Sequence, residues 1–310
     1  MNISLCTLFE GNYHFGVAAL ANSLVASGYE GTLWVGYRGA LPSWIESSPD
    51  FDKATKRLQV TPSFRLQMLL IETDLHFTYY KPTFLREMLT KHEPQADAVA
   101  YIDPDIVVKC GWNAFSGWFS EDSIGLVEDV GSVFPARHPK RLQWAAYFAT
   151  QGVRQVRPLD RYYNAGFMAI SRANLDFLDL WARLCLMVVA YNKSAKQLKS
   201  GGASALFHST DQDAMNFALT ASEAPLITSG PEAMDFAYGG FYLSHAIGTA
   251  KPWHGRHIQR ALGGVPPSPS FKAYFQFAGG PIQAHSPRNL AWQRFCLRVA
   301  AAFGRVYRRA

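Results

Sequence analysis

The stretch Ile3-Ser4-Leu5-Cys6-Thr7-Leu8, followed by the turn Glu10-Gly11-Asn12-Tyr13, decides the fold of this chain. The first six residues form a short apolar run that is typical of a buried strand, and the next four favour a turn. Apolar residues then recur at the helical spacing of Val17, Leu20 and Leu24. Strand, loop and helix in this order indicate a nucleotide-binding α/β unit.

Further strands and helices alternate along the chain. Strands are predicted at Gly31–Tyr37, Ala98–Ile102, Ser123–Val127 and Phe167–Ser171. Helices are predicted around Phe84–Leu89, over Leu175–Val189 and over Asp211–Thr220, with a mobile loop at Gly201-Gly202. This alternation predicts an α/β class with a Rossmann-like, mainly parallel sheet flanked by helices.

Length and composition favour one domain over residues 1–285 and a C-terminal helical tail over residues 286–310. The chain has 310 residues, 48% of them apolar, which is enough for one large core. Its four cysteines are far apart and lack metal-like spacing, so no disulfide or zinc site is predicted and a reducing cytoplasm is expected. The N-terminus has no signal-peptide pattern, and the longest apolar run is too short to span a bilayer.

The charge is unevenly distributed. The chain carries 30 basic and 24 acidic side chains, and residues 286–310 contain six arginines and no acid, which accounts for the excess of six. Because the rest of the chain is neutral, a basic groove for nucleic acid is not expected. No nucleic-acid partner is therefore predicted.

Acidic residues follow two predicted strands, where α/β sheets bind their ligands. Glu10 comes shortly after Leu8 at the end of the first strand, and Asp103-Pro104-Asp105 follows Ile102. Two carboxylates one residue apart can share a hard divalent cation. The same tripeptide also favours a simple turn, so it is weak evidence alone.

Three further motifs carry side chains suited to binding. Tyr162-Tyr163-Asn164-Ala165-Gly166 places an amide and two small residues before a strand, which allows a ligand to approach the backbone. In Ser209-Thr210-Asp211-Gln212-Asp213, helix capping explains the acids but not Gln212. In His245–Trp253, an imidazole could complete a metal site, and Lys251 could neutralise a phosphate.

Together, and in this order, the four motifs resemble the glycogenin-like retaining glycosyltransferases of family eight, which include bacterial lipooligosaccharide galactosyltransferases. The resemblance spans roughly residues 3 to 254, and His-x-x-Gly-x-x-Lys-Pro-Trp at 245–253 is its most specific part. It implies a GT-A glycosyltransferase fold. It also implies a UDP-sugar donor and Mn²⁺ or Mg²⁺ as cofactor, with a hexose, glucose or galactose, moved to a glycan or lipid-linked acceptor.

The resemblance also implies roles for individual residues. Asp103, Asp105 and His245 match the family's metal ligands, and Gly248 and Lys251 match its diphosphate contacts. Positions near the donor sugar and its reacting face are matched by the four predicted catalytic residues Asp129, Asn164, Asp211 and Gln212. The remaining predicted donor contacts, including the uridine-binding turn at Asn12 and Tyr13, are Leu8, Glu10, Asn12, Tyr13 and Lys81.

Three alternatives stay open from the sequence. An inverting transferase on the same fold needs a general base, for which Glu128, Asp129 or Asp213 could serve. A non-catalytic nucleotide-sugar or glycan-binding module would keep the fold without turnover. A dehydrogenase ranks last, because no Gly-x-Gly-x-x-Gly follows the first strand.

The tail predicts a basic amphipathic helix. On a helical wheel its arginines Arg294, Arg298, Arg305, Arg308 and Arg309 share one side, and Trp292, Phe295, Val299, Phe303 and Val306 gather opposite, with Leu297 on the wrong side. Such a helix could bind an anionic membrane, which would place the protein peripherally on the inner face of the plasma membrane. A helix docked on its own domain gives the same pattern, so both interpretations stay open.

Overall fold

The computed structural model describes residues 1–119, 122–196, 202 and 204–306. The predicted mobile loop falls partly outside these residues, because Gly201 is not among them, and Arg308 and Arg309 of the tail also lie outside. The chain divides into two compact units, each assembled from three segments. The first consists of Met1–Cys6, Ile71–Ile102 and Ser116–Pro231, and the second of Thr7–Leu70, Asp103–Phe115 and Glu232–Ala310.

Eleven strands occur in the described residues. They are β1 Ile3–Glu10, β2 Gly31–Arg38, β3 Phe51–Asp52, β4 Arg57–Thr61, β5 Phe64–Leu70, β6 Ala98–Ile102, β7 Ile106–Val108, β8 Ile124–Val133, β9 Arg161–Ser171, β10 Leu226–Ser229 and β11 Leu243–His245. Nine α-helices are described alongside them. They are α1 His14–Ala26, α2 Ser43–Glu46, α3 Phe77–Glu87, α4 Pro139–Thr150, α5 Leu175–Asn192, α6 Thr210–Thr220, α7 His257–Leu262, α8 Pro269–Phe277 and α9 Pro287–Val306.

The sheet of the first unit has the strand order β10-β8-β9-β6-β1. β1 runs parallel to β6, and β10 runs parallel to β8, whereas β9 is antiparallel to both of its neighbours. Helices α3, α5 and α6 pack on one another. Trp181 of α5 is fully buried and donates to the backbone carbonyl of Asp211 at 3.1 Å, which ties α5 to the start of α6.

A bulge interrupts β9 at the motif Tyr162–Gly166, which the sequence analysis identified as suited to binding. The register of β9 against β8 jumps from Met168, opposite Leu126, to Asn164, opposite Val127. The residues between them therefore have no partner register on β8. Bulges of this kind re-aim side chains and release backbone N–H groups from the ladder, which prepares this segment for contacts with a helix or a ligand.

The sheet of the second unit has the order β1-β2-β5-β4-β3, with β2 parallel to β5 and the last two strands antiparallel. A separate two-stranded ribbon pairs β7 with β11 in antiparallel register. Helices α1 and α8 pack against β7. The apolar cluster between them is centred on aromatic side chains and includes Ala19, Val107, Trp253, Phe271, Tyr274, Phe275 and Leu297.

The tail helix α9 packs within the second unit through the side that contains Leu297, the residue that departed from the predicted apolar side. Leu297 is buried in the aromatic cluster, Cys296 and Ala300 are also buried, and α9 packs on α7. By contrast, Trp292 and Phe295 of the predicted apolar side are 59% and 52% exposed. No described helix is long and apolar enough to cross a membrane.

The structure confirms the α/β class and the order of the predicted elements. The strand at Ala98–Ile102 is found as predicted, and β1, β2, β8 and β9 are longer than expected. The sequence prediction missed β5, although its buried residues Phe64, Leu66 and Met68 alternate with less buried ones, which is the period-two signal of a strand. The assignment of one domain to residues 1–285 stays a prediction.

Candidate functional site

The second unit brings the three predicted metal ligands together. Asp103 directly follows β6, and the turn that it opens is closed by a hydrogen bond from the Ile106 amide to the Asp103 carbonyl at 3.0 Å. The ribbon register places His245 opposite Ile106, beside Asp105. A bond from the Ala246 amide to the Asp105 carbonyl at 3.0 Å extends this pairing. Local backbone geometry therefore aligns all three side chains.

The three side chains form a carboxylate–imidazole cluster suited to a divalent cation. One ligand atom from each of Asp103, Asp105 and His245 lies within 4.8 Å of the others. The His245 Nε2 is 3.2 Å from Asp105 Oδ1 and 4.0 Å from Asp103 Oδ2. Two hard carboxylates and one borderline imidazole are the donors that Mn²⁺ accepts. Donor atoms of one imidazole and two carboxylates that face one another in this way favour a cation among them.

Lys251 supplies a positive charge to the same cluster. Its Nζ lies 2.5 Å from Asp105 Oδ2 and 2.8 Å from the Ala246 carbonyl oxygen. Burial by itself would raise the pKa of Asp105, but the charges of His245 and Lys251 outweigh it and hold that pKa below its usual range. Burial would lower the pKa of Lys251, and the Asp105 charge outweighs it and raises that pKa. Both groups are therefore charged at neutral pH.

The predicted uridine and diphosphate positions belong to the same unit as Lys251, and Tyr13 lies next to it. Tyr13 is half-buried; its ring centroid lies 5.6 Å from the Lys251 Nζ and 5.4 Å from the Trp253 ring. Asn12 and Gly248 are exposed, and Gly248 has a φ of +91°, a conformation that favours glycine. The turn at Asn12 and the loop at Gly248 thus offer accessible backbone and amide groups for a ligand.

The end of β1 contains two of the predicted donor contacts, Leu8 and Glu10, whose roles stay predictions. Leu8 is buried in the core, so only its backbone could contact a donor. Glu10 is partly exposed and pairs with Arg38, whose Nη1 lies 3.1 Å from Glu10 Oε2. The sequence analysis did not single out Arg38, although it follows the second predicted strand at the position where ligand contacts are expected.

The first unit contains a second group of predicted residues, an amide–carboxylate network formed by Asp129, Asn164 and Gln212. Asn164 donates to Asp129 Oδ1 at 2.9 Å, and Gln212 donates to Asp129 Oδ2 at 2.7 Å. The amide oxygens accept from the bulged backbone: Gln212 from the Ala165 N–H at 3.0 Å and Asn164 from the Gly166 N–H at 2.8 Å. Each amide group is therefore fixed at both its nitrogen and its oxygen.

The side chain of Lys81 also contacts the bulge in β9. It is 2% exposed and donates to the Ala165 carbonyl at 2.7 Å, and its Nζ lies 4.4 Å from the Tyr101 ring centroid. The buried Asp211 carboxylate is 3.9 Å away. A charge buried this deeply needs such partners. Lys81 is thus well placed to hold the bulge, and its role as a donor contact stays a prediction.

Asp213 forms a buried pair that the sequence did not predict. Its Oδ1 accepts from the Tyr162 hydroxyl at 2.6 Å, and its Oδ2 accepts from the Ser209 amide at 3.0 Å. Burial raises the pKa of Asp213 to about 7, in spite of these hydrogen bonds and the charge of Lys140, which lower it. Both partners lie inside motifs quoted from the sequence, but no local signal indicated that they would meet.

Comparisons with known proteins agree with the fold. No protein-family profile and no curated protein matches the chain. The apo structure of the bifunctional glycosyltransferase WbbM is similar, with a TM-score of 0.56 and 14% identity over 96% of this chain. The alignment covers 51% of WbbM, so the chain spans about half the length of that protein.

Two structures of the galactosyltransferase LgtC are also similar. The complex with donor and acceptor sugar analogs has a TM-score of 0.52 and 15% identity, and an active-site mutant has a TM-score of 0.53 and 16% identity. Each alignment covers 94% of this chain and 99% of LgtC. At this level of identity the likeness concerns the fold: the chain has the α/β fold of the GT-A glycosyltransferases.

Proposed function

We propose that this chain is a metal-dependent retaining glycosyltransferase that moves a hexose, glucose or galactose, from a UDP-sugar to a glycan or glycolipid acceptor. The observation that carries the proposal is the convergence of Asp103, Asp105 and His245 with the buried Lys251. The GT-A fold supports it, because solved glycosyltransferases share that fold. The motif resemblance supplies the donor type and the stereochemistry.

The cluster fits the needs of a diphosphate leaving group. When bound, Mn²⁺ or Mg²⁺ supplies positive charge to the two phosphates. Lys251 adds a further positive charge, and its ammonium would exchange one of its present partners for a phosphate oxygen. Gly248, whose backbone has no side chain to block it, would donate its N–H. Stabilising the leaving phosphate in this way removes the need for a general acid.

The amide–carboxylate network fits the needs of sugar recognition. Asp129, Asn164 and the buried Asp211 are proposed to orient the donor hydroxyl groups, and Gln212 is proposed to lie beside the reacting carbon. The hydrogen bonds among Asp129, Asn164 and Gln212 pre-organise these three groups, which lowers the reorganisation needed when the sugar binds. Gln212 is neutral, so it can stabilise developing charge without acting as a base.

The three carboxylates that could serve as the general base of an inverting enzyme all accept hydrogen bonds in the structure. Both carboxylate oxygens of Asp129 and of Asp213 already accept a hydrogen bond. Glu128 accepts from Ser132 at 2.6 Å and lies 3.4 Å from the Arg161 Nε. A general base must reach the acceptor hydroxyl directly or through one water, and an oxygen that already accepts one hydrogen bond has a second lone pair for that contact. The proposal of retention therefore rests on the motif resemblance. The anomeric configuration of the product, read by NMR, decides between the two classes.

Nucleotide binding tests the proposal most directly. We expect calorimetry to show binding of UDP with Mn²⁺, loss of that binding in excess EDTA, and no comparable binding of GDP, CDP or TDP. Metal-dependent binding of a different base would keep the fold and revise the donor. Absence of all binding would favour an acceptor-binding module without turnover. A UDP-sugar hydrolysis panel with UDP-glucose and UDP-galactose then identifies the hexose.

We also propose a peripheral placement on the inner face of the plasma membrane, with the enzyme in the cytoplasm. The exposed side of α9 supports the membrane contact in this proposal. Trp292 and Phe295 stack at 5.7 Å between ring centroids and stay exposed, as does Phe303. Arg298 and Arg305 on the same helix are also exposed. Exposed aromatic residues beside arginines suit the headgroup region of an anionic bilayer, where a lipid-linked acceptor would lie.

Vesicle sedimentation tests this placement without removing the helix. The double variant Trp292→Ser/Phe295→Ser should lose co-sedimentation with phosphatidylglycerol vesicles, because it removes the aromatic side chains that would enter the bilayer. It should fold like wild type, because these two side chains are exposed rather than packed. Leu142→Ser, which replaces an exposed apolar residue of α4, serves as the matched control. Equal sedimentation of wild type and double variant would contradict anionic membrane binding through α9. So would sedimentation of wild type with phosphatidylcholine vesicles to the same extent as with phosphatidylglycerol vesicles.

A further inference from the structure

Gly16, in the first turn of α1, touches the turn that carries the two candidate metal-binding carboxylates. A Cβ atom added at Gly16 would lie 2.1 Å from the Pro104 carbonyl oxygen and 2.9 Å from its carbonyl carbon. The same atom would lie 3.1 Å from Cη2 of Trp253. Both backbone distances are below 3.0 Å, and the distance to the carbonyl oxygen is far shorter than a carbon atom tolerates. Only a glycine therefore allows α1 to approach the turn this closely.

The backbone of Gly16 does not itself require glycine. Gly16 lies within α1 and is not among the residues with positive φ. Glycine is a weaker helix former than alanine, so its presence in the first turns of a helix needs another reason. The close approach to Pro104 supplies that reason.

The contacted peptide lies between the two carboxylates. Pro104 is the second residue of the four-residue turn that the bond from the Ile106 amide to the Asp103 carbonyl closes. Proline fixes φ at this position of a turn, and the contact with α1 limits the remaining rotation of its carbonyl. Because that peptide joins Pro104 to Asp105, any displacement of it changes the spacing of the Asp103 and Asp105 side chains.

We infer that Gly16 is a positioning residue for the metal site: its lack of a side chain lets α1 hold the Asp103-Pro104-Asp105 turn in the geometry that binds a divalent cation. Trp253 forms the second wall of the same contact, and it follows Lys251 in the chain. The contact thus joins the start of α1, the carboxylate turn and the lysine segment within one unit. The inference rests on the proposed metal-dependent function.

The test compares Gly16→Ala with Gly111→Ala in the full chain. Gly111 belongs to the same unit, has no positive φ, and a Cβ there meets no atom within 4 Å. Mn²⁺ affinity is measured by electron paramagnetic resonance without nucleotide, and stability by urea unfolding in EDTA. We expect Gly16→Ala to weaken Mn²⁺ binding at least about tenfold and Gly111→Ala to leave it unchanged.

A second variant keeps the inference testable if Gly16→Ala does not fold. Pro104→Gly loosens the turn from its own side, and should also weaken Mn²⁺ binding. In a double-mutant cycle, Gly16→Ala should cost less in the Pro104→Gly background, because the turn can yield. Mn²⁺ binding within twofold of wild type in folded Gly16→Ala, or in Pro104→Gly, overturns the inference. A wild type that binds no Mn²⁺ overturns the proposed function itself.

Discussion

The carboxylate–imidazole cluster of the second unit and the amide–carboxylate network of the first unit hold their polar groups in different ways. In the cluster, charged groups face one another: Lys251 lies 2.5 Å from Asp105, and His245 faces two carboxylates. In the network, two neutral amides bracket the single charge of Asp129 at 2.9 and 2.7 Å. The cluster therefore gathers charge, whereas the network fixes direction.

This difference predicts different responses to substitution. Removing one charge from the cluster changes the electrostatic balance of every other member, so the affinity for charged ligands should change most. Removing one amide from the network leaves its charge unchanged but frees its neighbours to rotate. Turnover should then suffer more than affinity, because catalysis depends on orientation.

The largest effect is expected for Asp105→Ala. It removes a metal ligand and the main partner of Lys251, so metal-dependent UDP affinity should fall by more than the roughly 100-fold typical of losing an outer-shell partner. Calorimetry with Mn²⁺ measures this change, with the exposed Asp50→Ala as control. His245→Ala should behave similarly. UDP affinity equal to that of wild type in Asp105→Ala would show that the metal site lies elsewhere.

Gln212→Ala should separate turnover from binding. The substitution removes the hydrogen bonds to Asp129 and to the Ala165 amide, and we expect kcat to fall by about 100-fold, the scale of one lost transition-state donor. UDP affinity with Mn²⁺ should stay within a few-fold of wild type. The exposed Gln151→Ala is the matched control. A parallel loss of UDP affinity would mean that Gln212 serves binding instead.

Lys251→Met should affect nucleotide and metal binding in opposite directions. The ammonium competes with a cation for Asp105, so Mn²⁺ without nucleotide should bind at least as tightly as in wild type. UDP binding in the presence of Mn²⁺ should weaken about tenfold, because a charge-assisted hydrogen bond to phosphate is lost. Lys91→Met, at an exposed lysine, controls for net charge. Unchanged UDP affinity would contradict the phosphate role of Lys251.

The effect of Asp213→Asn is expected on stability rather than on binding or turnover. The folded-state pKa of Asp213 is about 7 because of burial, whereas an unfolded aspartate titrates near 4. The folded protein therefore keeps this proton up to a higher pH than the unfolded chain does. The group contributes stability that is fully present below pH 4 and is lost as pH rises to about 7. The loss is on the order of 4 kcal/mol at most.

Urea unfolding of wild type and Asp213→Asn at several pH values isolates this contribution. The free energy of unfolding of wild type should decline relative to that of the variant between pH 4 and pH 7, then level off. Other carboxylates titrate in both proteins and cancel in the difference. A difference that does not change with pH would show that Asp213 has the same pKa in the folded and unfolded states, with its hydrogen bonds from Tyr162 and Ser209 balancing burial.

Much of the fold was accessible from local patterns. Buried strands such as Ala98–Ile102 and amphipathic helices such as Leu175–Asn192 show in the spacing of apolar residues, because that spacing follows directly from backbone periodicity. The strand Phe64–Leu70 carried the same signal and was missed. Residues 1–285 showed no boundary because each compact unit is assembled from distant segments.

The tail shows how far a periodic pattern can be interpreted. Its helix exists as predicted over Pro287–Val306, but the docked side contains Leu297, which the helical wheel had placed among the arginines. Helix amphipathicity states which residues share a side, but it does not state which side meets the protein. The shape of the aromatic cluster around Trp253 and Phe275 selected the side that fits.

The sequence by itself determined the residue types of the candidate site, because a metal cluster needs carboxylates and imidazole. It also determined their order along the chain, because the ends of strands show in the local pattern of apolar residues. Only the tertiary structure decided that Lys251 pairs with Asp105, that Tyr162 meets Asp213 and that Gly16 abuts Pro104. These contacts join residues that are 51 to 146 positions apart. Their formation depends on how strands and helices pack, and local spacing contains no record of that packing.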